Sequence, residues 1–405
     1  MRKAAILFLL FICCSQFAQA QQRRDVLLIM RNTGSVDLWD GETITVWGFA
    51  QKLSAQLTLP SPTIYCNEGD TVVIRVRNIS QGDPHTIHLH GLDVDQANDG
   101  VPHLSFEIKH MEDSVYYFVA SHAGTYFYHC HVISVVHVQM GMYGFVVVRP
   151  KGGTQNAWTG GPAYDSERLW MTSEIDKAWH DSVPGGNDHD STLHVNVVIP
   201  KYAPDYFLIQ GRSYHELKDA SVAVYGQMQE RIYIRLGNMG FLMNDIHFPA
   251  ELNVEIIDSD GRPLPNSIFT DSLRICPGER YGILLSPKSE FLDSIRIDFV
   301  NMNSRHVLNS QFIPVEIKGH IGISETPFYT PLIYPNPADE TVFIEFNADP
   351  GADISLRDAS GRIIYSTSIL SRRHSIPANS ISSGLYFLTI TQNGHPVVSK
   401  VIIQH

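Results

Sequence analysis

The chain has 405 residues, too many for one ordinary domain, so two or three are expected. Hydrophobic content of 43% and charged content of 18% fit globular cores and exclude a disordered or fibrous chain. A formal net charge of −12 with no basic run excludes a nucleic-acid partner, because phosphate binding needs clustered Lys and Arg.

Residues 1–20 read as a signal peptide. Arg2 and Lys3 give the positive start, Ala4 to Cys14 the apolar stretch, and Ala18-Gln19-Ala20 a small-residue cleavage site. The apolar stretch is too short to cross a bilayer and nothing later reaches that length, so no membrane span is expected. A lipoprotein cleavage at Cys13 or Cys14 would need small residues before the cysteine, and these are missing. Cleavage near Gln21 leaves Cys66, Cys130 and Cys276, an odd set for an exported chain.

Residues 21–152 are rich in short β-branched runs such as Thr71-Val72-Val73-Ile74 and Phe145-Val146-Val147-Val148, punctuated by Gly, Asp and Pro, which predicts strands and turns. A Gly-rich linker is expected over 153–165 and a second strand-rich domain over 166–320. A further linker over 321–330 precedes a compact tail, 331–405. Together these predict an all-β protein of two β-sandwich domains followed by a small β-sandwich.

The first two domains read as a degenerate duplication. Glu68-Gly69-Asp70-Thr71-Val72-Val73-Ile74-Arg75-Val76-Arg77-Asn78 has a counterpart in Gln229-Glu230-Arg231-Ile232-Tyr233-Ile234-Arg235-Leu236-Gly237-Asn238. Further on, His85-Thr86-Ile87-His88-Leu89-His90 lines up with Asn244-Asp245-Ile246-His247-Phe248-Pro249, which puts His247 in the place of His88.

Chemistry concentrates in the first domain, in His85-Thr86-Ile87-His88-Leu89-His90-Gly91 and in His129-Cys130-His131 followed by His137 and Met142. Two imidazoles, a thiolate and a weak axial thioether form a blue-copper donor set, here His85, Cys130, His137 and Met142. Zinc also suits imidazole and thiolate, but Met142 favours copper. Side chains alternate along a strand, so Cys130 faces one side while His129 and His131 face the other. Those two, with His88 and His90, could hold a second metal centre.

These motifs resemble those of the multicopper oxidase family over residues 40–320, with Asp99-Gly100-Val101-Pro102 and Gly124-Thr125-Tyr126-Phe127-Tyr128 adding to the match. The resemblance implies two cupredoxin-like Greek-key sandwiches, the second without its own type 1 copper. It places a type 1 copper at His85, Cys130, His137 and Met142. His88, His90, His129 and His131 match half of a trinuclear type 2/type 3 copper cluster. One departure is that five residues, rather than the usual three, separate His131 from His137. The second domain offers only His247 and His306, with Ser304-Arg305-His306-Val307 near the place of His-Cys-His. His103, His110 and His122 are spare candidates.

The resemblance further implies a copper-dependent oxidoreductase, with a small-molecule or protein electron donor and dioxygen as acceptor. A cluster completed by another subunit would favour a homotrimer. Two alternatives stand beside it: a reductase resembling copper nitrite reductases, with an interface type 2 copper, and a non-enzymatic copper or electron carrier. Cys66 and Cys276 are either separate buried thiols or a bridge between the domains.

In the tail, Tyr334-Pro335-Asn336-Pro337-Ala338, Leu356-Arg357-Asp358-Ala359-Ser360-Gly361-Arg362 and Ser383-Gly384-Leu385-Tyr386-Phe387 resemble the C-terminal sorting domain of the type IX secretion system. That resemblance implies passage through the periplasm to a secreted or cell-surface location, with the secretion machinery as a partner.

Overall fold

The computed structural model describes residues 22–82, 84–183, 199–319, 331–346, 351–392 and 395–405. The expected signal peptide and the expected linker 321–330 lie outside the described residues. Two compact units divide the chain, one up to His320 and one from Ile321 onward.

The first unit contains two sandwiches. The first is built from β1 (Arg23–Asp37), β2 (Thr43–Ala50), β3 (Ile64–Asn67) and β4 (Thr71–Asn78). It continues with β5 (His88–His90), β6 (Asp113–Val119), β7 (Gly124–His129), helix α1 (Ser134–Gln139) and β8 (Tyr143–Arg149). The second begins with β9 (Ser166–Ile175), helix α2 (Lys177–Ser182), β10 (Tyr206–Ile209), β11 (Val224–Gln227) and β12 (Ile232–Asn238). It continues through β13 (Met243–His247), β14 (Glu255–Ser259), β15 (Arg262–Phe269) and β16 (Ser272–Ile275). Then β17 (Arg280–Leu285), β18 (Phe291–Val300) and β19 (Val307–Lys318) complete it.

Strand order repeats between the two. The sheet β2-β1-β4-β6 has its counterpart in β10-β9-β12-β17, extended by β14-β15, and β3-β8-β7-β5 in β11-β19-β18-β13, extended by β16. The parallel pairs recur as well, β1 with β4 and β9 with β12, then β3 with β8 and β11 with β19. Asn78 and Asn238 are both fully buried, and each accepts the N–H of the residue two further on, Ser80 at 2.8 Å and Gly240 at 2.9 Å.

From that shared corner the copies diverge, and the expected histidine register does not hold. The first copy reaches β5 at His88, which pairs with His129 at the end of β7. The second reaches β13 sooner, at Met243, which pairs with Val300 at the end of β18. Met243 therefore stands in the place of His88, and Val300-Asn301-Met302 in the place of His129-Cys130-His131. A shorter connection in the second copy shifts the frame, which pairwise sequence alignment without gaps cannot show.

Strand β7 is buried along its whole length because both its faces are covered. Tyr126, Tyr128 and Cys130 point into the core of the first sandwich, with Leu28, Trp47, Ile74, Tyr116 and Val146. Phe127 points outward and packs with Phe145, Val147, Met171 and Met239, so the second sandwich covers the other face. The expected linker 153–165 is itself packed: Ala157 and Tyr164 are buried against Tyr233, Ile257 and Leu284.

A buried ion pair ties the sandwiches together. Arg235, 0% exposed, donates from Nε to Glu167 (3.0 Å) and from Nη1 to Thr125 Oγ1 (3.2 Å), and Glu167 also accepts from Arg149. Removing one member of such a pair leaves an uncompensated buried charge. Arg235→Ala is expected to lower the unfolding free energy of this unit by about 3–5 kcal/mol in denaturant titration. A loss below about 1 kcal/mol would mean the carboxylate is not buried in solution.

The second unit is a small sandwich of its own. A three-stranded and a four-stranded antiparallel sheet enclose Val342, Ile344, Leu356, Ile376, Leu388 and Val401, all 0% exposed.

Candidate metal centres

His129 ends β7 and Cys130 and His131 follow it directly; the alternation of the strand sends Cys130 into one donor group and His129 into another. One group is His85, Cys130 and His137, all buried. The other contains His88, His90 and His129.

In the first group Cys130 Sγ lies 3.1 Å from His137 Nδ1 and 3.6 Å from His85 Nδ1, and the two Nδ1 atoms are 3.3 Å apart. Three donors around one ion at about 2.0–2.3 Å produce a triangle of this size. His85 is held by a two-way backbone bridge to Ile108, and its Nε2 is buried with no hydrogen-bond partner. Burial pushes the His137 pKa down to about 3 and that of His85 well below the ordinary range, so both rings are neutral and carry a lone pair. Burial pushes the Cys130 thiol up to about 11, opposed by hydrogen bonds from Thr86. A thiolate at this position needs a cation beside it, which a metal supplies.

Met142 is fully buried in the same apolar cluster. Its carbonyl accepts the Cys130 N–H (3.0 Å), and its N–H donates to His137 O (3.0 Å). The longer spacing between His131 and His137 builds α1, which carries His137 on a single helical turn and a half. Sequence reasoning passed over Trp47, whose indole lies 5.1 Å from the His137 ring and 6.0 Å from the His85 ring.

The second group sits on the outer face of the same sheet, where His88 and His129 form a cross-strand pair. His88 Nδ1–H donates to Asp99 O (2.7 Å), which leaves Nε2 free as a donor. His129 Nδ1–H donates to Cys130 O (2.9 Å), and its Nε2 lies 3.4 Å from His90 Nδ1. His131 stands at the margin, its ring 5.2 Å from that of His88 and 6.0 Å from that of His129. Burial lowers the pKa of His129 to about 3 and of His90 to about 4, the latter helped by Arg280, and it lowers that of His88 against the opposing pull of Asp99. Neutral imidazoles with converging lone pairs fit metal here too. The role of Asp99 in aiming His88 was missed, although its motif was noticed.

Gly100 makes that aim possible. Its φ is +76°, and a Cβ would lie 1.9 Å from Ile87 O and 2.7 Å from His88 N. Gly100→Ala is expected to displace β5, with stability reduced by about 1–3 kcal/mol and metal lost from the second group before the first. Copper analysis together with thermal unfolding checks this, and equal loss from both groups would contradict it.

The other candidate histidines stand outside both groups. His110 Nδ1–H donates to Ser80 O, His122 lies beside Asp93, and His247 lies 3.4 Å from Asp298. His306 and His103 are exposed on loops. In the second sandwich Arg305 Nη1 sits 2.9 Å from Met243 Sδ, so a guanidinium lies against the residue that takes the place of His88. Among the described residues no donor group like the first two forms there. Cys66 and Cys276 are free thiols, the former buried and the latter half-exposed, so no bridge joins the sandwiches.

Residues 40–153 match the family described as multicopper oxidase, and residues 332–404 the secretion system C-terminal sorting domain. Copper resistance protein A of Pseudomonas syringae pv. tomato is 31% identical over 273 residues, 57% of this chain and 42% of that protein. L-ascorbate oxidase of Cucumis sativus is 34% identical over 260 residues, 58% of this chain and 42% of that protein. The chain thus spans less than half the length of these relatives. The solved structure of blue copper oxidase from Nitrosomonas europaea is 28% identical, with a TM-score of 0.58 over 76% of this chain and 90% of that one.

Proposed function

We propose that the protein is an exported copper-dependent oxidoreductase that passes electrons from a reductant to dioxygen, because residues 40–153 match the multicopper oxidase family and residues 332–404 the secretion sorting domain. His85, Cys130, His137 and Met142 would hold a type 1 copper, and His88, His90, His129 and His131 the type 2 and type 3 copper. Copper, when bound, supplies the one-electron redox chemistry that no side chain here provides.

The observation that carries this reading is that two neighbouring residues enter two different donor groups, Cys130 the first and His129 the second, with the His131 ring at the margin of the second. Cys130 is bonded through the backbone to both His129 and His131, so a continuous covalent route through neighbouring residues joins one group to the other. The first group is dry: His85, Cys130, His137 and Met142 are at most 1% exposed, which keeps water from the thiolate. Half-exposed His88, His90 and His131 leave the second group open on one side. No further imidazole of this chain reaches it among the described residues, so completion by another copy, in a homotrimer, is part of the proposal.

The sorting domain is an address, directing the chain through the periplasm to type IX secretion machinery and a secreted or cell-surface location. No helix of the described residues is long and apolar enough to cross a membrane.

The test is copper content per chain of the copper-loaded protein, measured with its mass in solution. A clear excess over about one copper per chain in an oligomer supports the proposal. About one copper per chain means an electron carrier instead. Consumption of nitrite rather than dioxygen would favour the nitrite reductase-like alternative, with His90 and His129 holding a single type 2 copper.

A further inference from the structure

Helix α1 has little stability of its own. It is six residues long, its N-cap residue Ile133 adopts a left-handed φ of 41° with no side-chain cap, and Gly141 follows its end. Yet it must hold His137 within 3.1 Å of Cys130 Sγ. Its own sandwich holds it through Val136 and Met140 in the core and the bond from Trp47 N–H to Met140 O, and a further hold comes from the second sandwich.

Gln139 ends α1, is 5% exposed, and reaches into the second sandwich. Its Nε2 donates to Glu174 O (3.0 Å), and its Oε1 accepts the N–H of Asp176 (2.7 Å). Strand β12 pairs with β9 only as far as Thr172, so the edge of β9 is open beyond that point. Gln139 fills it, making with its amide the two bonds that a neighbouring strand residue would make. Asp176 is locked in turn, accepting from Trp179 N–H (3.1 Å) and Ala203 N–H (2.6 Å).

A second tie acts on the same residue. His180 of α2, 2% exposed, lies between two carbonyls, with Nε2 3.0 Å from Gln139 O and Nδ1 2.6 Å from Thr45 O. Both bonds form only when both ring nitrogens carry protons, and a neutral ring keeps one of them. Burial disfavours the charged ring, while the two carbonyls, Asp176 and Asp181 favour it; Thr45 and Gln139 bring no charge.

We infer that Gln139 is a positioning residue through which the second sandwich sets the place of His137 against His85 and Cys130, with His180 as the second tie. This rests on the copper reading proposed above. It gives the second sandwich a part in the redox site although it supplies no ligand there.

The experiment uses the full-length copper-loaded protein and records the visible charge-transfer band and the paramagnetic resonance spectrum of the oxidised form, with copper content and thermal unfolding. Gln139→Ala, Gln139→Met and His180→Gln are compared with Thr172→Val, which removes a buried 2.6 Å bond to Asn244 within the second sandwich. The expected result is a moved band and altered copper hyperfine splitting in the Gln139 and His180 variants at unchanged type 1 copper content, while Thr172→Val loses stability and keeps the wild-type spectrum. If Gln139→Ala fails to fold, Gln139→Met preserves the volume and decides the matter. Wild-type spectra in Gln139→Met and His180→Gln would overturn the inference. A wild-type protein with no intense band would instead overturn the copper reading itself.

Discussion

Cys130→Ser removes the intense visible band of the copper-loaded protein. The thiol of Cys130 is fully buried and sits 3.1 Å and 3.6 Å from two neutral imidazole nitrogens. Burial holds it protonated up to about pH 11, so only a cation in the triangle draws out the thiolate. A serine hydroxyl is a harder donor that does not ionise there, and the sulfur orbital responsible for the band is gone. Copper affinity at this group should fall by more than the roughly 10–100-fold that loss of an outer partner costs. The apoprotein should lose only about 1–3 kcal/mol, the cost of burying a hydroxyl in place of a thiol. Absorption spectroscopy of the loaded variant checks this, and a surviving band would remove the type 1 assignment.

The double change His88→Ala with His90→Ala leaves that band in place and reduces dioxygen consumption to background. Both residues lie on the outward face of β5, while Leu89 between them points into the core. Removing them empties half of the second group without touching His85, Cys130 or His137. His88 loses one bond to Asp99 O, worth about 1 kcal/mol, so the fold should survive. Copper per chain should fall while the type 1 signal stays constant. Unchanged turnover would mean that the second group is not catalytic. Joint loss of band and turnover would mean that the two groups do not behave as separate centres.

That His85, Cys130 and His137 meet in one group and His88, His90 and His129 in another was foreshadowed in the sequence because the relevant signal is local. His129 at the end of β7 and Cys130 just after it face opposite sides, and His88 and His90 share a face two residues apart. The tail was legible for the same reason, through turn residues at fixed places. The second copy was misread at His247 because the connection after Asn238 is five residues shorter than that after Asn78. A missing stretch leaves no mark in local composition, and only strand pairing reveals that Met243 stands opposite Val300.

By itself the sequence determined the all-β class and that Cys130 and His129 face opposite sides, because these depend on residue identity and a period of two. Tertiary structure alone decided which donors meet. His85 reaches Cys130 over a sequence separation of 45 through its bridge to Ile108 and the packing of the first core. It also decided that Asp99 aims His88 and that Gln139 and His180 tie α1 to the second sandwich. Such contacts join segments far apart in the chain, and their partners are fixed by how two sheets pack rather than by any local preference.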